Sequence, residues 1–165
     1  MCDQRLAKEP CDDPDDNAPP RTDLNLSSLI PGANFDAETL SVTHNFRPEV
    51  IRKLVLTRNA LSILPSSIAK FVELKELDVS ANALRWISGE ISQLQKLKIV
   101  IARNNRLHNL PKDFQYCRSL EVLNLSGNSY TEFPQELYAL NRLRDLHFGG
   151  NKIEVIRPEI GSMKR

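Results

Sequence analysis

What the chain has little of narrows the field first. No run of about 20 apolar residues occurs, so no segment is long enough to cross a bilayer as a helix. The first residues lack the basic start and apolar stretch of a secretory signal. Three cysteines, Cys2, Cys11 and Cys117, do not make a disulfide framework. The histidines His44, His108 and His147 stand apart from any cysteine pair, so neither a zinc site nor any other metal is expected. Six glycines nowhere form a phosphate-cradling loop, and no nucleophile motif is present, so no cofactor and no catalytic residue are expected. Aromatic residues are only 6% of the chain, with Trp86 the sole tryptophan, which leaves little to stack on nucleic-acid bases. These absences describe a reducing, intracellular setting, cytoplasmic by expectation, and a protein that is not an enzyme.

What is present is a balanced composition with an uneven distribution. The formal net charge is +1, yet residues 1–23 hold seven acids against three bases, leaving the remainder net positive. Pro10, Pro14, Pro19 and Pro20 share that leader with almost nothing apolar, so it cannot offset the entropy of ordering its backbone. Residues 1–23 therefore read as a disordered, acidic, Pro-rich tail. The remaining length suffices for one domain with a continuous core.

From Ile51 onward one pattern repeats every 23 residues: leucine-x-x-leucine-x-leucine-x-x-asparagine-x-leucine. Its first position falls at Ile51, Leu74, Leu97, Leu120 and Leu143, its fourth at Leu54, Leu77, Val100, Leu123 and Leu146, and its sixth at Leu56, Val79, Ala102, Leu125 and Phe148. Asn59, Asn82, Asn105, Asn128 and Asn151 take the ninth position, polar inside an apolar frame. A buried amide with donors and an acceptor bridges backbone groups where a short strand turns away from its ladder, so these five predict an asparagine ladder. Cys117 falls in an apolar column with Phe71, Leu94, Leu140 and Met163 and reads as a small core residue rather than a reactive thiol. Pro65, Pro111 and Pro134 recur after the fourteenth position, where a fixed backbone angle suits an extended turn and opposes a long helix.

The unit Leu74 to Gln95 and its neighbours resemble the 23-residue class of intracellular leucine-rich-repeat proteins. The stretches that carry the resemblance include Leu77-Asp-Val-Ser-Ala-Asn-Ala-Leu84, Ala102-Arg-Asn-Asn-Arg-Leu107 and Cys117 through Asn128, with Leu24-Asn-Leu-Ser-Ser-Leu29 ahead of the array. The resemblance implies an α/β leucine-rich-repeat solenoid: a curved parallel sheet on the concave side, with irregular or short helical returns on the convex side. It also implies a role as an adaptor or scaffold in signalling, or as the substrate-recognition part of a ubiquitin ligase.

The boundaries follow. Residues 24–50 fit the period poorly: Leu24, Leu26 and Leu29 suggest one degenerate strand, and Phe35 to Val42 a short helix, together an N-terminal cap. Five repeats then occupy 51–73, 74–96, 97–119, 120–142 and 143–165. The sequence stops at Arg165, one residue before the next first-position leucine would fall, so a fragment is expected; were the end native, repeat five would favour self-association.

Residues at positions 3, 5, 7 and 8 alternate with the buried ones and point away from the core. That face carries Ile99, Ile101 and Val122 as an apolar centre, with Asp78, Arg103, Asn124 and His147 as a polar rim, and it is the expected site for a protein partner. Strand propensity alone also accounts for β-branched residues there. Trp86, at position 13, reads as a partly covered turn residue and a candidate anchor on the outer side. The competing reading is a nucleic-acid-binding solenoid through Arg52, Lys53, Arg58, Lys75, Lys98, Arg103, Arg106 and Arg144, but Glu76, Asp78, Glu121 and Asp145 interrupt that set.

Overall fold

The computed structural model describes residues 22–29, 35–155 and 158–162. The acidic leader lies outside these except for Thr22 and Asp23, as do Ile156 and Met163 of the apolar columns.

Each repeat opens with a three-residue strand whose middle residue is buried, only partly so for Leu146 in the last, and whose flanking residues face outward, the period-two alternation of a half-buried strand. These strands are β1 (Asp23–Asn25), β2 (Lys53–Val55), β4 (Glu76–Asp78), β6 (Ile99–Ile101), β7 (Val122–Asn124) and β8 (Asp145–His147). Between them lie two-residue strands β3 (Ile63–Leu64) and β5 (Trp86–Ile87). The six longer strands form one parallel sheet in the order β1-β2-β4-β6-β7-β8. Lys53 pairs with Glu76, Glu76 with Ile99, Ile99 with Val122, and Val122 with Asp145, so each strand step is one 23-residue period.

The chain returns through five-residue 3-10 helices at Ser66–Lys70, Gly89–Gln93, Lys112–Tyr116, Gln135–Ala139 and Pro158–Ser162. The residue before each of the first four, Pro65, Ser88, Pro111 and Pro134, is extended with φ between −80° and −64°. Proline is already fixed near that angle and has no amide to leave unbonded, and Ser88 adopts the same geometry without the ring. Each of these helices buries one side chain: Ile68, Ile91, Phe114 and Leu137 are all 0% exposed. One continuous core runs between sheet and helices, and fully burying a leucine such as Leu54 or Leu123 contributes about 1.5–3 kcal/mol.

Every strand leaves the sheet through a left-handed residue at position 8. These are Arg58, Ala81, Asn104, Gly127 and Gly150, with φ between 55° and 69°. Only two of the five are glycine, so the repeat imposes the turn even where a side chain opposes it.

Ahead of the first full repeat, the segment expected to cap the array contributes β1, which pairs with β2, and helix α1 (Ala37–Thr43). The Asp36 carboxylate accepts from the amides of Glu38 and Thr39, satisfying two donors of the first turn. Ala37 and Leu40 are buried, and the rings of Phe35 and Phe46 lie 6.2 and 6.1 Å from that of Phe71. Leu24 in β1 and Leu26 just past it are buried, whereas Leu29 is 55% exposed in the turn that follows β1 and does not belong to the apolar row.

The outer side differs from expectation in one respect. Position 13 is not a turn in the first two repeats: Ile63 pairs with Trp86 and Leu64 with Ile87 in a second, two-stranded parallel sheet. Leu64 and Ile87 point into the core, so their neighbours Ile63 and Trp86 are turned outward, 45% and 47% exposed. At the other end Tyr130, Phe133, Tyr138 and Phe148 form a cluster with ring centroids 5.1–5.6 Å apart.

Candidate interaction face

The inner edge of the turn is built by the ninth-position asparagines. The Asn105 carbonyl accepts from the amide of Leu84 (3.0 Å), while its amide donates to the carbonyls of Val79 (3.0 Å) and Ala102 (3.1 Å). Asn128 does the same one repeat on, accepting from Leu107 and donating to Ala102 and Leu125. Asn82 accepts from both Asn59 and Leu61 and donates to Leu56 and Val79. Asn59 donates to the carbonyl of Leu26, just past β1, and Asn151 closes the column by accepting from Tyr130. Each amide side chain thus reaches from its own unit to the one before it, where backbone groups have no strand partner.

The open face of the sheet is set by this register. Ile99 and Ile101 lie on β6, Val122 beside Ile99 and Asn124 beside Ile101 on β7, and Asp78 beside Ile101 on β4. All five are partly exposed, because side chains on adjacent strands shield one another. Arg103 and His147 are exposed, the latter on the last strand and separated from Ile101 by Asn124. A shallow depression continues the apolar centre toward the first repeat, lined by Lys53, Val55, Glu76, Asp78, Ile99 and Ile101. Lys53, Val55 and Glu76 belong to the same outward columns, and the sequence pattern did not assign them to the protein-binding centre.

Two of the rim residues have a local task. The Asp78 carboxylate accepts from the amide and hydroxyl of Ser80, and the Asn124 side chain accepts from the amide of Ser126 (3.0 Å). Asn25 and Ser27 form the same turn after β1. A short polar side chain bonding two residues ahead ends the strand. Position 7 is consequently not always outward: Ser80 is only 4% exposed.

Charge on the two edges of this face is arranged differently. Where the strands begin, Lys53 pairs with Glu76 and Lys98 with Glu121, both at 2.9 Å, and Lys96 pairs with Glu73. The Lys98 and Lys96 ammonium groups hold the Glu121 and Glu73 carboxyls below their ordinary range, chiefly by hydrogen bonding. Where the strands end, Arg58, Arg103 and Arg106 are exposed with no ion pair among the described residues. Cys117, 3% exposed, has its thiol pushed up to about 12 by burial, as suits a core side chain. Among the described residues no three His, Cys, Asp or Glu side chains gather where a metal ion would sit, and no helix is long and apolar enough to cross a membrane.

Comparison with known proteins agrees with this geometry. The family model described as Leucine rich repeat matches residues 92–153, less than half of the chain. A solved structure described as a TDR receptor is 33% identical over 62% of this chain and 18% of its own, with a TM-score of 0.55. A leucine-rich-repeat protein of Leptospira interrogans is 25% identical over 70% of this chain and 41% of its own, with a TM-score of 0.39. The chain thus spans less than half the length of either. No curated protein matches it. Parallel register at a 23-residue step, short helical returns and the matched family pattern make the architecture that of an α/β leucine-rich-repeat solenoid.

Proposed function

We propose that this chain is a non-catalytic module that takes a protein partner on the open face of its long sheet. Leucine-rich-repeat domains generally serve protein–protein interaction, and the neighbour of higher TM-score is by its description a receptor. The observation that carries the reading is the patch of Ile99, Ile101 and Val122 on two neighbouring strands, aliphatic and partly open to water on the one face the core does not use. Arg103 and His147, with Asp78 and Asn124 held by their serine turns, supply the polar surround of such a centre.

The finer assignment is an adaptor or scaffold of the cytoplasm, as in signalling assemblies or the substrate-recognition part of a ubiquitin ligase. The repeat stretches resemble those of leucine-rich repeat-containing protein 58. In this reading residues 1–23 are an acidic tail, 24–50 a cap, and 51–165 five repeats, with Trp86 a secondary anchor on the outer side and the last repeat a route to self-association.

Replacing Ile101 by Asp tests the proposal. Ile101 packs no core, so the variant folds; it loses the partner captured from cytosol by the intact chain. A folded variant that captures the same protein equally well refutes the open face as the site.

A further inference from the structure

The edge where the strands end has a charge pattern that the open face alone does not explain. Positions 7–12 of the five repeats carry Arg58, Arg85, Arg103, Arg106 and Lys152, all exposed, against the single acid Glu154. None of these bases makes an ion pair among the described residues, although four ion pairs form elsewhere. Long-range repulsion along such a row costs stability, and neighbouring acids relieve it at the opposite edge, where Glu73, Glu76 and Glu121 each take a lysine.

Spacing and surroundings indicate what fits this row. Arg58 and Arg103 sit at adjacent turn positions two strands apart, about 10 Å at the usual strand separation. Arg103 follows Ile101 by two residues, so the row borders the aliphatic patch directly. The flat part of the sheet offers on the order of 300 Å² by strand length and spacing, against about 800 Å² per partner in a standard interface. A partner held at the patch must therefore extend over an edge. A nucleic acid fits less well: within positions 7–12 the one aromatic is Tyr130, which is 0% exposed, and the exposed Trp86 beside Arg85 belongs to the outer two-stranded sheet rather than to the face of Ile99 and Ile101.

Resting on the reading of the open face as a protein site, we infer that the partner presents an acidic polypeptide segment with aliphatic anchors. The anchors sit on Ile99, Ile101 and Val122, and the carboxylates lie along Arg58, Arg103 and Arg106. Guanidinium groups suit this task because their fork of donors matches a carboxylate.

The test uses the full chain and a short fluorescein-labelled poly-L-glutamate peptide, read by fluorescence anisotropy at low and near-physiological salt. The triple variant Arg58→Glu, Arg103→Glu, Arg106→Glu weakens binding by about tenfold or more at low salt, and the effect shrinks with added salt. Lys75→Glu, Arg142→Glu, Arg144→Glu makes the same charge change at the opposite edge and costs less than about threefold. Equal losses in the two triple variants overturn the inference, since net charge alone would then be sensed. Tighter binding of a labelled oligo-dT with the same dependence on Arg58, Arg103 and Arg106 overturns it in favour of nucleic acid. Peptide binding that appears only after residues 1–21 are removed overturns it in favour of the chain's own acidic leader. Ile101→Ser separates the two readings: it weakens capture of the cytosolic partner and leaves poly-glutamate binding unchanged, so either reading fails without the other.

Discussion

Removal of the Asn105 side chain tests what holds the repeats in register. Its carbonyl is the acceptor for the Leu84 amide, and its amide donates to Val79, Ala102 and, at 3.3 Å, Arg103. In Asn105→Ala the acceptor carbonyls are not orphaned: Val79 keeps Asn82, Ala102 keeps Asn128, and Arg103 keeps the amide of Ala81. The Leu84 amide has no substitute, and Leu84 is 0% exposed. An unsatisfied buried donor costs about 1–3 kcal/mol, and the remaining lost bonds add about 1 kcal/mol, giving about 2–4 kcal/mol in all. Asn151→Ala removes the equivalent acceptor from Tyr130, but Asn151 is partly exposed and water can enter, so about 1 kcal/mol is expected. Urea unfolding followed by circular dichroism, with an unchanged dependence on denaturant, measures both. Equal losses at the two positions, or a loss below about 1 kcal/mol for Asn105→Ala, refute the claim that satisfying the Leu84 donor makes the inner column costly to break.

Three further outcomes follow from the turns, the thiol and the outer strand. Gly127→Ala places a Cβ against the Asn104 Oδ1 at a φ of +67°, and should lower the melting temperature by the equivalent of about 1–2 kcal/mol from backbone strain alone. Gly149→Ala, whose Cβ meets nothing within 4 Å, should be close to neutral. In a Cys2→Ser, Cys11→Ser background, Cys117 should resist a thiol reagent at pH 8 until denaturant is added. Because its folded value is raised, the stability it contributes is complete below the unfolded thiol's range near pH 9. That stability is lost as pH rises toward about 12, and Cys117→Ala should lessen this alkaline loss. Trp86→Ala should leave the urea midpoint almost unchanged, and quenching of Trp86 fluorescence by iodide in the native state should report its outward position.

The sheet was legible in the sequence because its constraint is periodic. Leu54, Leu77, Val100 and Leu123 must all enter one core, so each repeat announces the same strand at the same place. Proline at position 15 likewise marks the start of three of the returns, and Ser88 could be read by analogy because it occupies the same slot. The outer sheet was not legible: two residues per unit are too few for a period, and nothing in Ile63 or Trp86 separates a bridge from a turn. Ahead of the array the strand at Leu24 and the helix near Phe35 to Val42 were legible, and only Leu29 was not. Thirty residues separate Asp23 from Lys53, so Leu29 falls in a turn rather than at the next inward position.

At the candidate face, the columns gave which side chains look outward but not their local partners. Asp78 and Asn124 look like rim residues in a list; only the turn shows that each is held by the serine two residues on. The separation of charge between edges was hidden for a similar reason. Along the chain, Arg58, Lys75, Glu76, Lys98, Arg103 and Glu121 mix both signs, and only stacking brings the acids beside the lysines at one edge and leaves Arg58 and Arg103 at the other.

The order β1-β2-β4-β6-β7-β8 has a mechanical consequence. Each long strand touches only the units before and after it, and side-chain bonds such as those of Asn105 and Asn128 reach just 21 or 26 residues along the chain. Among the described residues nothing ties the first unit to the last, so force applied to the two ends should peel the array unit by unit, as a sawtooth of similar small steps. By the same logic, splicing in a second copy of residues 74–96 lengthens the ribbon without asking any existing neighbour to move.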